Sequence, residues 1–292
     1  MRPHPTARSA SALSLALVLA LAGCATSPVT QNAAEDASGA SWTEFEHIHG
    51  IGLNPGDDKV YVATHQGLFR LDDPTPQLVG ESRGDMMGFV VTGADTFFAS
   101  GHPAPGEAAP ANLGLLRSTD AGVAWEDVSQ RGRSDFHDLT GVEDRLYGLD
   151  SSDGQLKSSN DAGVTWTSGP TIEARDIDVD PNNPARLVAT TEDGLLVSTD
   201  GGGEFAPHEV QPPERLVLIA HVPGRSDQMT ASLAGLDASG RLWVLNGAGW
   251  AGTGVSQETP EAFTAIGEES YLAAFDGIVY RTGDAGRSWS QE

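Results

Sequence analysis

The sequence of 292 residues is poor in three features that often decide the class of a protein. It contains one cysteine, Cys24, so no disulfide bond can form within the chain and no thiolate cluster can hold a metal ion. Its 17 basic residues face 41 acidic ones, for a formal net charge of −24. Such a body is repelled by phosphate backbones and anionic lipid surfaces, which argues against nucleic acid as a partner. No second apolar span follows the N-terminal one.

Residues 1–24 have the order of a secretory signal peptide. A basic start precedes an apolar run from about Ala10 to Ala22, too short for a comfortable membrane span. The run ends in LAGC, which resembles the bacterial lipobox, and the resemblance implies a lipid on Cys24. The alternative is a plain signal peptide with a cysteine near its end. Residues 25–41 are small and polar, as suits a linker, so we expect residues 42–292 to be anchored on the outer face of the cell membrane.

The body of the chain repeats with a period of about 42 residues. Four segments share the pattern [S/T]-x-D-x-G-x-x-[W/F], with aspartates separated by 41, 39 and 84 residues. A glycine-led apolar pattern ("GLFR", "GLLR", "GQLK", "GLLV", "GRLW", "GIVY") precedes the turns in six copies. A period of this size is typical of propellers and solenoids. The box positions are Ser118, Asp120, Gly122, Trp125, Ser159, Asp161, Gly163, Trp166, Ser198, Asp200, Gly202, Phe205, Thr282, Asp284, Gly286 and Trp289.

Each repeat contains four short apolar stretches separated by Gly, Asn and Asp, as in the blade of a propeller. Six such units fill residues 42–292, so the sequence predicts an all-β, six-bladed β-propeller, with seven blades as the alternative. The box aspartate can accept backbone N–H groups within its turn, the glycine allows an unusual backbone angle, and the aromatic residue buries a large ring. Because four repeats carry the box, we interpret it as a structural device rather than an active site.

The box pattern resembles the BNR/Asp-box repeat of bacterial sialidases and sortilin-type receptors. The histidine-containing segments "HIHG", "GHP" and "FHDL" further resemble secreted bacterial lipoproteins that are described as glycosyl-hydrolase-like or exo-sialidase-like. This resemblance implies a propeller over the whole mature domain and raises the possibility of glycan hydrolysis. Fold similarity does not by itself establish chemistry.

The residues that a sialidase needs are not evident in the sequence. The resemblance implies an arginine triad, a tyrosine nucleophile with a glutamate partner, and an aspartate acid/base, yet the region of the first arginine reads "FEHIHGIG". Tyrosines recur at one position of the second strands, which favours packing over catalysis. The weak catalytic candidates for a glycosidase are Asp85, Asp135, Glu173 and Arg175.

Six residues of the first three repeats are predicted to meet at one mouth of the central channel. Aligning the repeats places several of them at the start of first strands and the others at the end of second strands, which lie side by side when the strands are antiparallel. They are His47, His49, His65, Met87, His102 and His137. Imidazole suits copper and zinc, and a thioether favours copper(I).

The sequence therefore predicts a lipid-anchored, monomeric propeller with a site at the channel mouth for copper, zinc or a small polar ligand. If no metal binds, these histidines form a polar pocket. Two other functions stay open, a sialidase-like glycoside hydrolase acting on a glycan and a protein-interaction scaffold.

Overall fold

The computed structural model describes residues 45–72, 75–224, 232–247, 249–254 and 257–292. These residues form 24 strands and no helix, and no helix in this part of the chain could cross a membrane. The predicted signal peptide, the predicted lipidation site Cys24 and the predicted linker lie outside the described residues.

The strands form six four-stranded antiparallel sheets, each built from consecutive strands. Blade 1 contains β1 (Ile48–Asn54), β2 (Lys59–Thr64), β3 (Gly67–Arg70) and β4 (Gln77–Leu78). Blade 2 contains β5 (Asp85–Gly93), β6 (Thr96–His102), β7 (Leu115–Ser118) and β8 (Glu126–Ser129). Blade 3 contains β9 (Phe136–Val142), β10 (Arg145–Asp150), β11 (Gln155–Ser159) and β12 (Thr167–Thr171).

The other three blades repeat this order. Blade 4 contains β13 (Ala174–Val179), β14 (Leu187–Thr191), β15 (Gly194–Ser198) and β16 (Ala206–Pro207). Blade 5 contains β17 (Leu216–His221), β18 (Leu233–Asp237), β19 (Leu242–Asn246) and β20 (Gly249–Thr253). Blade 6 contains β21 (Pro260–Ala265), β22 (Tyr271–Phe275), β23 (Ile278–Thr282) and β24 (Ser290–Gln291). The prediction of a six-bladed, all-β propeller is confirmed.

The hydrophobic cores lie between blades, because side chains on facing sheets interdigitate. One cluster joins Ile48 and Val62 of blade 1 to Leu272 and Val279 of blade 6. The ring is also closed by a hydrogen bond that the Phe45 N–H donates to the Gly277 carbonyl oxygen at 3.0 Å. The first strand of each blade lines the channel, and the fourth strand lies at the outer edge of the propeller.

The predicted boxes form the turns between the third and fourth strands of blades 2, 3, 4 and 6. In blade 3 the Ser159 hydroxyl donates to Asp161 Oδ1 at 2.8 Å and accepts from the Gly163 N–H at 2.9 Å. Asp161 Oδ1 also accepts from the Thr165 N–H at 2.9 Å. Gly163 has φ +81°, and a Cβ there would stand 2.0 Å from Leu115 of the preceding blade. Each box turn thus packs against the sheet of the preceding blade.

The separation of 84 residues between Asp200 and Asp284 spans two repeats, and the repeat between them that lacks a box is blade 5. There β19 and β20 pair directly, with Asn246 opposite Gly249, so a short hairpin takes the place of the box. The tyrosines of the second strands are buried, as packing residues would be: Tyr61, Tyr147 and Tyr271. They lie inside the sheets and offer no nucleophile at the mouth.

Replacing Ser159 by alanine should lower the free energy of unfolding by about 1–3 kcal/mol, because the Gly163 N–H would be left buried without an acceptor. Urea denaturation measures this change. The matched control Ser168→Ala removes an exposed hydroxyl from β12 and should change stability by less than about 0.5 kcal/mol. Equal effects of the two substitutions would contradict the structural role of the box.

Candidate metal and ligand site at the channel mouth

Every inner strand carries one extra residue close to the same end of the channel. In each blade the pairing of first and second strands slips by one residue near the start of the first strand, which is a β-bulge. The bulge residues of blades 1 to 6 are His49, Met87, His137, Arg175, Val217 and Glu261. A bulge re-aims a side chain and often borders a functional site. Aligning the repeats by their period places the first five of these residues at one equivalent position, whereas Glu261 does not emerge from that alignment.

The first triad consists of His49, His65 and Asp85, from blades 1 and 2. His49 Nε2 lies 3.2 Å from His65 Nδ1 and 3.3 Å from Asp85 Oδ1, and the third edge, from His65 Nδ1 to Asp85 Oδ1, is 3.0 Å. Asp85 Oδ1 is buried, and neither contact has the direction of a hydrogen bond. The three ligand atoms thus form a nearly equilateral triangle, and one of its corners, Asp85 Oδ1, is an acceptor without a donor.

His47 stands beside the first triad and faces blade 6. Its ring centroid is 4.7 Å from that of His49 and 5.7 Å from that of His65. Its Nδ1 lies 3.2 Å from Glu261 Oε1, while Glu261 Oε2 accepts from the Ile48 N–H at 3.2 Å. A carboxylate behind a histidine commonly orients the ring so that the other nitrogen can bind a metal. Glu261 therefore connects the site to the contact between blades 6 and 1, where the ring of blades closes.

The second triad consists of His102, Asp135 and His137, from blades 2 and 3. The His102 Nδ1–H donates to the Ala111 carbonyl oxygen at 2.9 Å, which leaves a lone pair on Nε2 when the ring is neutral. That Nε2 lies 3.7 Å from Asp135 Oδ1, which is buried and has no hydrogen-bond partner among the described residues. His137 Nε2 lies 3.0 Å from Asp135 Oδ2. Two acceptors thus face one another across the second triad.

The two triads share blade 2. Asp85 of the first triad and His102 of the second are direct partners across β5 and β6. Five of the six residues predicted to meet at the mouth therefore belong to the two triads or adjoin them. The sixth, Met87, is the bulge residue of β5 and is half-buried.

Burial controls the protonation of His49. Its side chain is only 8% exposed, and this burial lowers the pKa of the ring to about 4, although the nearby Asp85 carboxylate acts in the opposite direction. The ring is therefore neutral at physiological pH. A neutral imidazole is the form that binds metal ions.

The remaining predicted residues lie on the far side of the mouth. Arg175 of β13 donates from Nη2 to the Pro260 carbonyl oxygen at 3.4 Å. Glu173 precedes β13 and borders a cavity of about 430 Å³ between blades 3 and 4. The candidate carboxylates Asp85 and Asp135 fall in different triads, so each contacts histidines.

Three carboxylates deeper in the channel were missed by the sequence reasoning. Asp138, Asp176 and Asp178 line a cavity of about 450 Å³ and accept the N–H groups of Ile177, Ile219 and His221 from the neighbouring blades, at 2.7, 2.6 and 2.6 Å. Asp138 and Asp176 also share a side-chain hydrogen bond, and burial raises the pKa of Asp138 to about 7. The pair therefore holds a proton near neutral pH. Alternating aspartates in the segment "RDIDVD" were the available signal.

The first triad fits a transition-metal ion. Ligand atoms about 2.0–2.1 Å from a tetrahedral zinc ion stand about 3.3 Å from one another, and the three measured edges are 3.0, 3.2 and 3.3 Å. Two imidazole nitrogens and a carboxylate oxygen also match the donor preferences of zinc and copper. Three protein ligands would leave a coordination position for another molecule.

In protein freed of metal by a chelator, the His49 ring should titrate near pH 4, measured from its NMR ring signals and assigned by their absence in His49→Gln. Because the unfolded chain, at pKa 6.5, then binds the proton more readily, His49's contribution to stability is complete above about pH 6.5 and is lost as the pH falls towards 4. The variant should lose this part of the pH dependence. A pKa near 6.5 would contradict the buried position.

Comparison with known proteins supports the fold. No family model matches the chain. The chain is 25% identical to a xyloglucanase of Hypocrea jecorina over 90% of its own length, and it spans about a third (34%) of that relative. The chain is thus a β-propeller similar in sequence to part of that enzyme.

Two solved structures have the same fold at lower identity. The GH74 enzyme of Niastella koreensis has a TM-score of 0.58 and 16% identity, with 86% of this chain and 46% of that chain covered. YCF48 from Cyanidioschyzon merolae has a TM-score of 0.50 and 16% identity, with 85% of each chain covered. None of these comparisons shows an exo-sialidase lipoprotein.

Proposed function

We propose that the protein is a metal-binding propeller whose primary site is the first triad, with the second triad as a weaker site. The observation that carries the proposal is the buried, unsatisfied Asp85 Oδ1 within 3.0–3.3 Å of two histidine nitrogens. A buried carboxylate oxygen without a hydrogen-bond donor is costly. A cation bound to all three atoms would remove that cost.

A metal ion accounts for the first triad better than a hydrogen-bonded polar pocket. The two rings can share one proton between His49 Nε2 and His65 Nδ1, but that proton does not point at Asp85. Protonating both rings would satisfy the charge of Asp85, yet burial opposes a charged His49. A divalent ion supplies positive charge without requiring an extra proton.

The donor set favours zinc or copper(II). Both ions accept imidazole and carboxylate ligands, and zinc sites with three protein ligands keep one position open. His47, oriented by Glu261, is the fourth candidate ligand. Copper(I) favours a sulfur donor, and Met87 is the candidate residue.

We further propose that the protein acts outside the cell, held at the membrane by a lipid on Cys24. This part rests on the signal-like N-terminus and the lipobox. The acidic body supports the metal site rather than the location, because it would concentrate metal cations near the mouth. We expect a monomer with no nucleic-acid partner.

The similarity to a xyloglucanase favours glycan hydrolysis as a second candidate. Glycosidases use two carboxyl groups about 5–9.5 Å apart. Asp138 and Asp176 share a hydrogen bond and are therefore closer than this. The sequence similarity is thus the main support for this candidate.

Protein produced without residues 1–24 and without a histidine tag should bind about one equivalent of zinc or copper tightly, measured by mass spectrometry of the metal after dialysis. The double variant His49→Gln/His65→Gln and the single variant Asp85→Asn should lose this equivalent, because each removes triad ligands. His102→Gln should retain it, since that ring belongs to the second triad.

Asp127→Asn is the matched control for Asp85→Asn, because it also removes one negative charge, on the outermost strand of blade 2. It should leave metal binding unchanged. The same amount of metal in the wild-type and double-variant proteins would overturn the proposal.

Release of reducing sugar from xyloglucan tests the second candidate. If the protein binds metal but does not hydrolyse, no sugar should appear with either metal-loaded or chelated enzyme. Hydrolysis that survives chelation and is lost in Asp85→Asn and in Asp135→Asn would instead establish the glycosidase.

A further inference from the structure

The Arg175 side chain extends across the channel mouth towards blade 6, which borders blade 1 and its histidines. Arg175 is the bulge residue of blade 4, and in a ring of six blades blade 4 stands opposite blade 1, which carries His49. Its guanidinium contacts the Pro260 carbonyl oxygen on blade 6 at 3.4 Å. The next residue, Glu261, faces His47 at 3.2 Å. The guanidinium thus contacts the residue that precedes Glu261, and Glu261 contacts His47, which stands beside the first triad.

Arg175 has no ion-pair partner within 4.0 Å among the residues that the structure describes, and its one hydrogen bond is long. This is unusual in a chain with 41 acidic and 17 basic residues. A guanidinium has five N–H donors in a planar fork that fits the paired oxygens of a carboxylate or phosphate. Most of those donors remain available to a ligand.

The edge of the channel mouth beside Arg175 has room for the organic part of a ligand. A cavity of about 410 Å³ lies there, between blades 4 and 5, and Arg215 and Val217 also line it. Arg215 is only loosely paired, with Nη1 4.0 Å from Glu192 Oε1. The two halves of the mouth therefore differ, with metal ligands on blades 1–3 and, on blades 4 and 5, two guanidinium groups beside the carboxylates of Glu173 and Glu192.

We propose that the mouth binds an organic anion with a carboxylate or phosphate head group. One oxygen of the head group takes the open coordination position of the metal on the first triad, and the other oxygens accept hydrogen bonds from Arg175. This inference rests on the proposed metal site. It assigns to that site a ligand class and to Arg175 the role of binding it.

The charges of the mouth make anion binding depend on the metal. Asp85, Asp135 and Glu261 all border the site and repel an anion when no cation is present. Glu261 is already engaged, since its oxygens contact His47 and the Ile48 N–H. A divalent ion on the first triad adds positive charge at the mouth, so that the site attracts an anion instead of repelling it. By linkage, an anion that binds the metal-loaded form better must raise metal affinity by the same factor.

Cobalt(II) serves as the test metal, because its visible absorption reports on its ligands. We expect cobalt titration to give a triad-dependent spectrum, which tests the proposed function by itself. Benzoate and phenyl phosphate are then titrated into cobalt-loaded and chelated protein, with affinity measured by calorimetry. These probes share a ring and differ in the head group, so the tighter one identifies the preferred head group, and neutral phenol controls for binding of the ring.

We expect at least one of the two anions to bind the cobalt-loaded protein at least about tenfold more tightly than the chelated protein, and to change the cobalt spectrum. Arg175→Gln should weaken that anion about tenfold or more while changing cobalt affinity less than about threefold. Arg175→Lys should have an intermediate effect, because it keeps the charge and loses the fork. Arg287→Gln, at the opposite end of the propeller, is the matched control and should change neither affinity.

Anion binding that is equal in Arg175→Gln and wild type, or equal with and without cobalt, would overturn this inference and leave the metal site standing. The absence of anion binding to cobalt-loaded protein would do the same. A failure of cobalt itself to bind would overturn the metal site and this inference together.

Discussion

The site depends on a backbone constraint, the extra residue that each inner strand inserts at the same end of the channel. Regular strands alternate their side chains between the two faces of a sheet. The bulge breaks this alternation once per blade. Because six strands carry it at one level, six side chains surround a single opening. At this opening the histidines of blade 1 meet an aspartate of blade 2.

The opposite end of the molecule supplies the rigidity that the site requires. The box turns bind their own backbone and press a glycine against a leucine of the preceding blade, as Gly163 does against Leu115. Inside the channel, carboxylates pair with N–H groups of the next inner strand, as Asp176 does with Ile219. Together these contacts fix the angle between neighbouring blades, so that triads shared by two blades keep their distances.

The sequence predicted the fold and much of the mouth because the repeat period converts chain position into spatial position. Aligning His49 with Arg175 across three repeats needs only the period, and the bulges confirm this alignment. Glu261 escaped because its repeat lacks a recognisable first-strand motif. The division of the histidines into two triads could not be predicted, because it depends on the bulge and on rotamers rather than on spacing.

The roles of the channel aspartates were beyond sequence reasoning for a related reason. In an acidic chain a carboxylate carries little information, since most are solvated. Asp138 and Asp176 differ from the others only in what surrounds them, namely a partner carboxyl group and the free N–H groups of an adjacent blade. Whether two such groups share a proton depends on how closely they are packed and buried, which the sequence does not show.

The ring of bulge residues separates what the molecule recognises from what keeps it folded. Apart from Val217, whose side chain packs against one of the hydrophobic clusters, the bulge side chains contribute to no core. Apart from Glu261, which accepts the Ile48 N–H across the closure of blades 6 and 1, these residues can change over evolutionary time with little effect on foldability, so that one scaffold can present histidine, arginine or methionine at equivalent places. The ligand specificity of such a propeller can change through substitutions in one blade at a time. The mouth is therefore a natural starting point for redesigning what the protein binds.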